Sequence, residues 1–230
     1  MKSEINKVLS CTQQFRYELL QQCGNVEDAK KAYTFILGEI SEPIKSDDMK
    51  DGIYLVHSNG KATLFEYNFT KDDNMDSKIV AIGLKMGSFD IKIALYDEAN
   101  GEGITLTTKG SSDKEKYYAY AYDYDNAVSD MDGEINTIHF RNILNSQIKL
   151  LDNWYIPSLG ELYRIFINKK AINEALKFAK GDILQDCWYW TSTERNSINA
   201  WILDFGAGTY GYSNKTKTTG KVRTVSTFIG

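Results

Sequence analysis

Apolar residues recur along this chain at two different spacings, and the change falls near residue 50. Before it, Ile5, Val8, Leu9, Phe15, Leu19, Leu20 and Cys23 lie on one helical stripe, and Ala29, Ala32, Tyr33, Ile36, Leu37 and Ile40 lie on another. Gly24-Asn25 separates the two stripes, with Asn25 as an N-cap, and Ser41-Glu42-Pro43 ends the second. Residues 1–45 therefore read as a helical hairpin serving attachment or homo-oligomerisation.

From Gly52 the period is two. Ile53-Tyr-Leu-Val56 and Ala62-Thr-Leu-Phe65 flank Ser58-Asn59-Gly60, a strong short hairpin signal. Further strands are predicted at Ile79–Leu84, Ile91–Tyr96 and Ile104–Thr107. Tyr118, Tyr120, Tyr122 and Tyr124 alternate with small and acidic residues, which on a strand puts four phenols on one face. Such a face either packs on a neighbour or serves as a stacking platform for sugars or bases.

Helical spacing returns after Asp130-Met-Asp132-Gly133. Asn136-Thr137 reads as the cap of a helix carrying Ile138, Leu144 and Ile148 to about Lys149. Ser158 with Glu161 three positions on forms a capping box for a helix that buries Leu162, Ile165 and Phe166. Ala171 to Lys180, closed by Gly181, is a third. Strands then follow at Trp188–Thr191, Ala200–Phe205 and Val222–Phe228, so the fold class is α+β, with helices between an early and a late antiparallel sheet.

Composition narrows the function. The 230 residues are 42% hydrophobic and 25% charged, with a net charge of -4 and no basic run, which speaks against nucleic acid as a partner. No stretch approaches a membrane span, and Met1–Lys7 shows no leader-like apolar core, so no membrane insertion is expected. The three cysteines, Cys11, Cys23 and Cys187, imply no disulfide framework.

Catalytic and metal-binding patterns are sparse. His57 and His139 are the two histidines, and neither has a second histidine or a cysteine pair at zinc-site spacing. Aligning Gly133 to a calcium loop puts Val128 and His139 at its ligand positions, which fails. No phosphate-cradling loop occurs, and Gly206-Ala-Gly208 and Gly211 read as a turn between strands. No catalytic residue, metal site or cofactor is predicted. Glu161 is explained by its capping box, and Arg223, between Val222 and Val225, is expected to meet an internal carboxylate such as Glu161 or Glu194. Residues 194–220 are rich in Asn, Ser, Thr, Tyr and Gly, the composition of turns and of paratopes alike.

Trp154-Tyr-Ile-Pro157-Ser158-x-x-Glu161-Leu162, then Tyr189-Trp190-Thr-Ser192-Thr-Glu194, the Ala200-Trp201 strand and Val222-Arg223-x-Val225 resemble a bacterial domain family. It is that of the DUF1566-type and Fibrobacter major paralogous domains, which have a C-type-lectin-like fold and are common in gut Bacteroidetes. The upstream Asp132-Gly133-Glu-Ile-Asn136-Thr137 also fits, and the resemblance covers roughly residues 50 to 230. It implies a C-type-lectin-like ligand-binding domain after the hairpin, with Trp154, Pro157, Glu161, Trp190 and Arg223 holding the frame. Arg195, Asn196, Ser197, Asn199, Tyr210, Tyr212 and Asn214 would be the binding positions. The implied function is a non-enzymatic adhesion or receptor-binding module, as in phage receptor-binding proteins and retroelement-diversified variable proteins. Its ligand would be a protein or glycan on a cell surface, and its place the extracellular or virion surface.

The sequence lacks the Glu-Pro-Asn and Trp-Asn-Asp triplets of calcium-dependent lectins, and this domain lacks the cysteine pair of formylglycine-generating enzymes. An enzyme related to that sulfatase-modifying group, working through Cys187 or a carboxylate, and a structural assembly subunit are the alternatives.

Overall fold

The computed structural model describes residues 49–66, 78–109 and 120–228. The predicted N-terminal helical hairpin and Cys11, Cys23 and Tyr118 lie outside them. Nine strands and four α-helices are assigned among these residues. They are β1 (Gly52–His57), β2 (Ala62–Leu64), β3 (Ile79–Met86), β4 (Phe89–Ala94), α1 (Tyr124–Ser129), α2 (Gly133–Phe140), β5 (Trp154–Tyr155), α3 (Leu159–Ile167), α4 (Lys169–Phe178), β6 (Trp188–Glu194), β7 (Asn199–Asp204), β8 (Tyr210–Asn214) and β9 (Val225–Thr227).

The fold is α+β with two antiparallel sheets, of order β2-β1-β3-β4-β9-β5 and β6-β7-β8. The Asn59-Gly60 hairpin forms as its turn chemistry requires, pairing Tyr54 with Leu64 and Val56 with Ala62. One face of the larger sheet contributes Ile53, Leu55, Ile82, Leu84, Ile91, Ile93 and Val225 to the main core. That core is completed by Leu159, Leu162 and Ile165 of α3, Ile172, Ala175 and Leu176 of α4, and Trp201 and Leu203 of β7. The opposite face holds a smaller cluster of Tyr54, Val56, Ala81 and Phe228. Here Gly83 admits the Phe228 ring, since a Cβ on it would stand 2.4 Å from the ring's Cζ.

Several expectations change. Val222–Phe228 does not join the late sheet: β9 inserts between β4 and β5 of the early one. Ile104–Thr107 is no strand but makes single bridges, Ile104 to Gly220 and Thr107 to Leu144, because its backbone bonds go to different segments. The tyrosine alternation at 120–124 also does not form a strand. Asp123 Oδ1 accepts the Asn126 N–H at 2.9 Å, and this N-cap starts α1 at Tyr124.

The helix expected from Asn136 to Lys149 is α2, which runs only to Phe140 and passes into a short 3-10 turn. Asn136 and Thr137 lie buried inside it rather than capping it, and Ile138 is exposed. Residues 206–220, expected as turns and loops, contain β8. The third helix begins at Lys169 and ends in a Schellman motif, with Gly181 N–H to Leu176 O at 2.8 Å and Lys180 N–H to Lys177 O at 3.1 Å. The left-handed residue there is Lys180 (φ 59°), and Gly181 is small because a Cβ would meet Leu95 O at 2.6 Å.

Candidate ligand-binding face

The frame beneath the face is a set of buried polar ties. In α3, Ser158 Oγ accepts the Glu161 N–H at 3.3 Å and Glu161 Oε2 accepts the Ser158 N–H at 2.7 Å, which completes the capping box. Tyr155 Oη donates to Glu161 Oε1 at 3.1 Å. Burial is the main cause that pushes the Glu161 carboxyl up to about 7 against the hydrogen bonds that lower it, and burial likewise raises the Tyr155 phenol. Pro157 O accepts the Ser192 N–H at 2.8 Å, and Trp190, fully buried, donates its indole N–H to Ile104 O at 2.8 Å. Trp154, half-buried on β5, sits opposite Ser226 of β9.

Asp130, which the sequence marks only as the start of the Asp130-Met-Asp132-Gly133 stretch before a helix, is a hub. Its Oδ2 accepts from Asn136 Nδ2 at 2.7 Å and Thr193 Oγ1 at 2.8 Å, and its carbonyl accepts from Ser158 Oγ at 2.7 Å and Gly160 N at 3.1 Å. The buried run Thr191-Ser192-Thr193, polar yet wholly inside β6, thereby fastens the sheet to the helix starts.

The expected partner of Arg223 is corrected. Its Nε donates to Asp97 Oδ1 at 2.6 Å, while its terminal nitrogens donate to Ala94 O and Asp182 O, each at 2.9 Å. Glu161 is engaged in its cap, and Glu194 forms a fully buried pair with Lys215. That pair joins β6 to the residue after β8.

On this frame the β7–β8 register sets Leu203 opposite Tyr210, Trp201 opposite Tyr212 and Asn199 opposite Asn214. These residues share one face because strand side chains alternate. Trp201 is buried and donates its indole N–H to Ala121 O at 2.8 Å, which lays residues 120–124 alongside the sheet. Tyr124 stacks on Tyr210 with centroids 3.5 Å apart and planes at 9°. Tyr212 meets Trp201 edge-on at 5.9 Å and lies under the Arg195 guanidinium at 4.1 Å. Tyr210, Tyr212 and Tyr122 remain 42%, 51% and 57% exposed. The result is an open aromatic shelf on the edge strand of the smaller sheet, with one cation on it.

The other expected binding positions sit in the turn after β6, Asn196 and Ser197, or at strand ends, with Asn199 opening β7 and Asn214 closing β8. Asn196 Oδ1 accepts from Ile198 N at 3.0 Å and Asn199 N at 2.8 Å, and also from Asn199 Nδ2 at 3.2 Å. Asn214 Oδ1 accepts from Thr216 N at 2.9 Å and Thr216 Oγ1 at 2.8 Å. Ser197 lies half-buried between Asn196 and Ile198. The structure thus brings Arg195, Tyr210 and Tyr212 together and adds Tyr124 and Trp201. The period-two Tyr210-Gly-Tyr212 was the available signal for this strand.

Among the described residues no cluster of His, Cys, Asp and Glu is arranged to hold a metal, and no helix is long and apolar enough to cross a membrane. Cys187 is partly buried, and burial pushes its thiol up, which lowers its thiolate content at neutral pH.

No model of a known protein family and no curated protein matches the chain. Among solved structures, a fimbrial protein from Bacteroides ovatus ATCC 8483 is similar, with a TM-score of 0.52 and 17% sequence identity over 77% of this chain. The match covers 49% of that protein's chain, about half its length. At this identity the likeness concerns the fold. Membership of the DUF1566-type and Fibrobacter paralogous domains is not shown by these matches.

Proposed function

We propose that the protein is a non-enzymatic adhesion module with a C-type-lectin-like domain, and that it recognises a protein or glycan on a cell surface through the aromatic shelf of β8. The observation that carries this reading is the shelf itself: Tyr210 and Tyr212 are held by Tyr124, Trp201 and Arg195 yet are about half exposed. Tyrosine rings supply rigid contact area with a polar tip at low entropic cost. The frame behind them is buried and hydrogen-bonded, so exposure of these rings serves no internal packing. The fimbrial description of the similar structure supports a surface role. The half-exposed residues of 195–214 are also where a diversified recognition surface would lie.

The experiment is a glycan and cell-surface array probed with the wild-type chain and with Tyr210→Ser/Tyr212→Ser/Asn214→Ser. The wild type is expected to bind, and the triple variant to lose the signal while its Tm stays within a few degrees, as for substitutions at exposed positions. An unchanged signal, or a collapse in Tm, contradicts the reading.

A further inference from the structure

Away from the shelf, a cleft of about 580 Å³ opens beside β3, β4 and β5. Its volume lies in the range of small-molecule sites. Two aromatic rings line it, Trp154, half-buried, and Tyr96, 54% exposed, together with Val80 and Leu151, which are 42% and 68% exposed. The polar lining is unevenly committed. Asp97 is bound by Arg223, and Glu98 accepts from Lys149 N at 2.7 Å and Thr224 Oγ1 at 3.2 Å. The cations differ: the ammonium groups of Lys78 and Lys149 have no hydrogen-bond or ion-pair partner among the described residues, and neither do the side-chain amides of Asn100 and Gln147.

The backbone at the rim is unusual as well. Ala99 (φ 52°), Asn100 (φ 56°) and Gly101 (φ 79°) are consecutive left-handed residues. Gly101 adopts this conformation freely and Asn100 tolerates it, but Ala99, whose Cβ meets the carbonyl oxygen there, is strained. Strain of this kind concentrates where a surface is shaped for use.

We infer that this cleft is a second binding site, for a saccharide bearing a carboxylate. Trp154 and Tyr96 offer apolar faces to the ring C–H groups of a pyranose, and the Asn100 and Gln147 amides can meet its hydroxyls. Lys78 and Lys149 supply the charge that answers a carboxylate: Asp97 is paired with Arg223, and against the one remaining carboxylate, Glu98, the two ammonium groups leave the cleft net positive, which favours an anion. This site is independent of the aromatic shelf and uses none of its residues.

The test is calorimetric titration of the full chain with trigalacturonic acid and with sialyllactose, beside the methyl ester of the former, neutral lactose and acetate. Saturable binding is expected for at least one acidic saccharide, weakened by added salt, with no binding of the ester, lactose or acetate. Lys78→Gln/Lys149→Gln should weaken it about tenfold at unchanged Tm, because both groups are exposed. Tyr96→Ala should weaken it through lost stacking. The Tyr210→Ser/Tyr212→Ser/Asn214→Ser chain should bind the acidic saccharide as the wild type does, so that failure of one site is distinguishable from failure of the other. No saturable binding of either acidic saccharide, equal binding of acid and ester, or an affinity unmoved in the lysine double variant overturns the inference.

Discussion

Glu161 is 5% exposed, and its carboxyl is raised from 4.5 to about 7, chiefly by burial. A protonated carboxyl keeps both of its contacts, since its carbonyl oxygen still accepts from Ser158 N and its hydroxyl can donate to Tyr155 Oη. The folded state therefore holds this proton more tightly than the unfolded chain. Its stabilisation is complete below about pH 4.5 and is lost as pH rises through about 7, a change of about 3 kcal/mol. Glu161→Gln should be close to neutral at pH 5 and more stable than wild type at pH 8. Denaturation midpoints at the two pH values check this, and a variant equally destabilised at both contradicts it. The capping box was legible because Ser158 and Glu161 are three residues apart. The Arg223–Asp97 pair was not, because its partners are 126 residues apart and no local spacing marks them.

The strands and helices show where periodicity suffices. β1 and β3 follow their continuous apolar runs and β4 its apolar alternation, while α3 and α4 follow their helical stripes. Tyr120–Tyr124 shows the limit: a period-two pattern lost to a local cap, Asp123 to Asn126. β8 shows the converse, a strand whose exposed Tyr210 and Tyr212 alternate with the half-buried Gly211 and Ser213 and give it no apolar side. It is held by pairing to β7 and, just beyond its end, by the buried Lys215–Glu194 pair. Burial lowers the Lys215 ammonium, and the Glu194 carboxylate counters this. Lys215→Met should cost about 3–5 kcal/mol by leaving a buried carboxylate uncompensated, and adding Glu194→Gln should restore much of that. Urea unfolding of the single and double variants reads the difference. A single variant as stable as wild type would show that the pair does not clamp β8.

Across the molecule, the closing strand is what joins the parts. β9 returns from beyond β8 to pair with β4 and β5, and Arg223, just before it, ties Ala94 and Asp182 to the buried Asp97. Such long-range order follows from the topology, which periodicity does not encode, so the sequence placed this strand in the late sheet. The same closure leaves β8 at an edge with its tyrosines exposed while the framework behind them is satisfied internally. Hydrogen–deuterium exchange of the wild-type chain, with and without the ligand identified on the array, tests whether that edge is the recognition surface. Protection on binding is expected to concentrate in residues 120–124, 195–199 and 209–214; protection confined to other segments, with these unchanged, would contradict it.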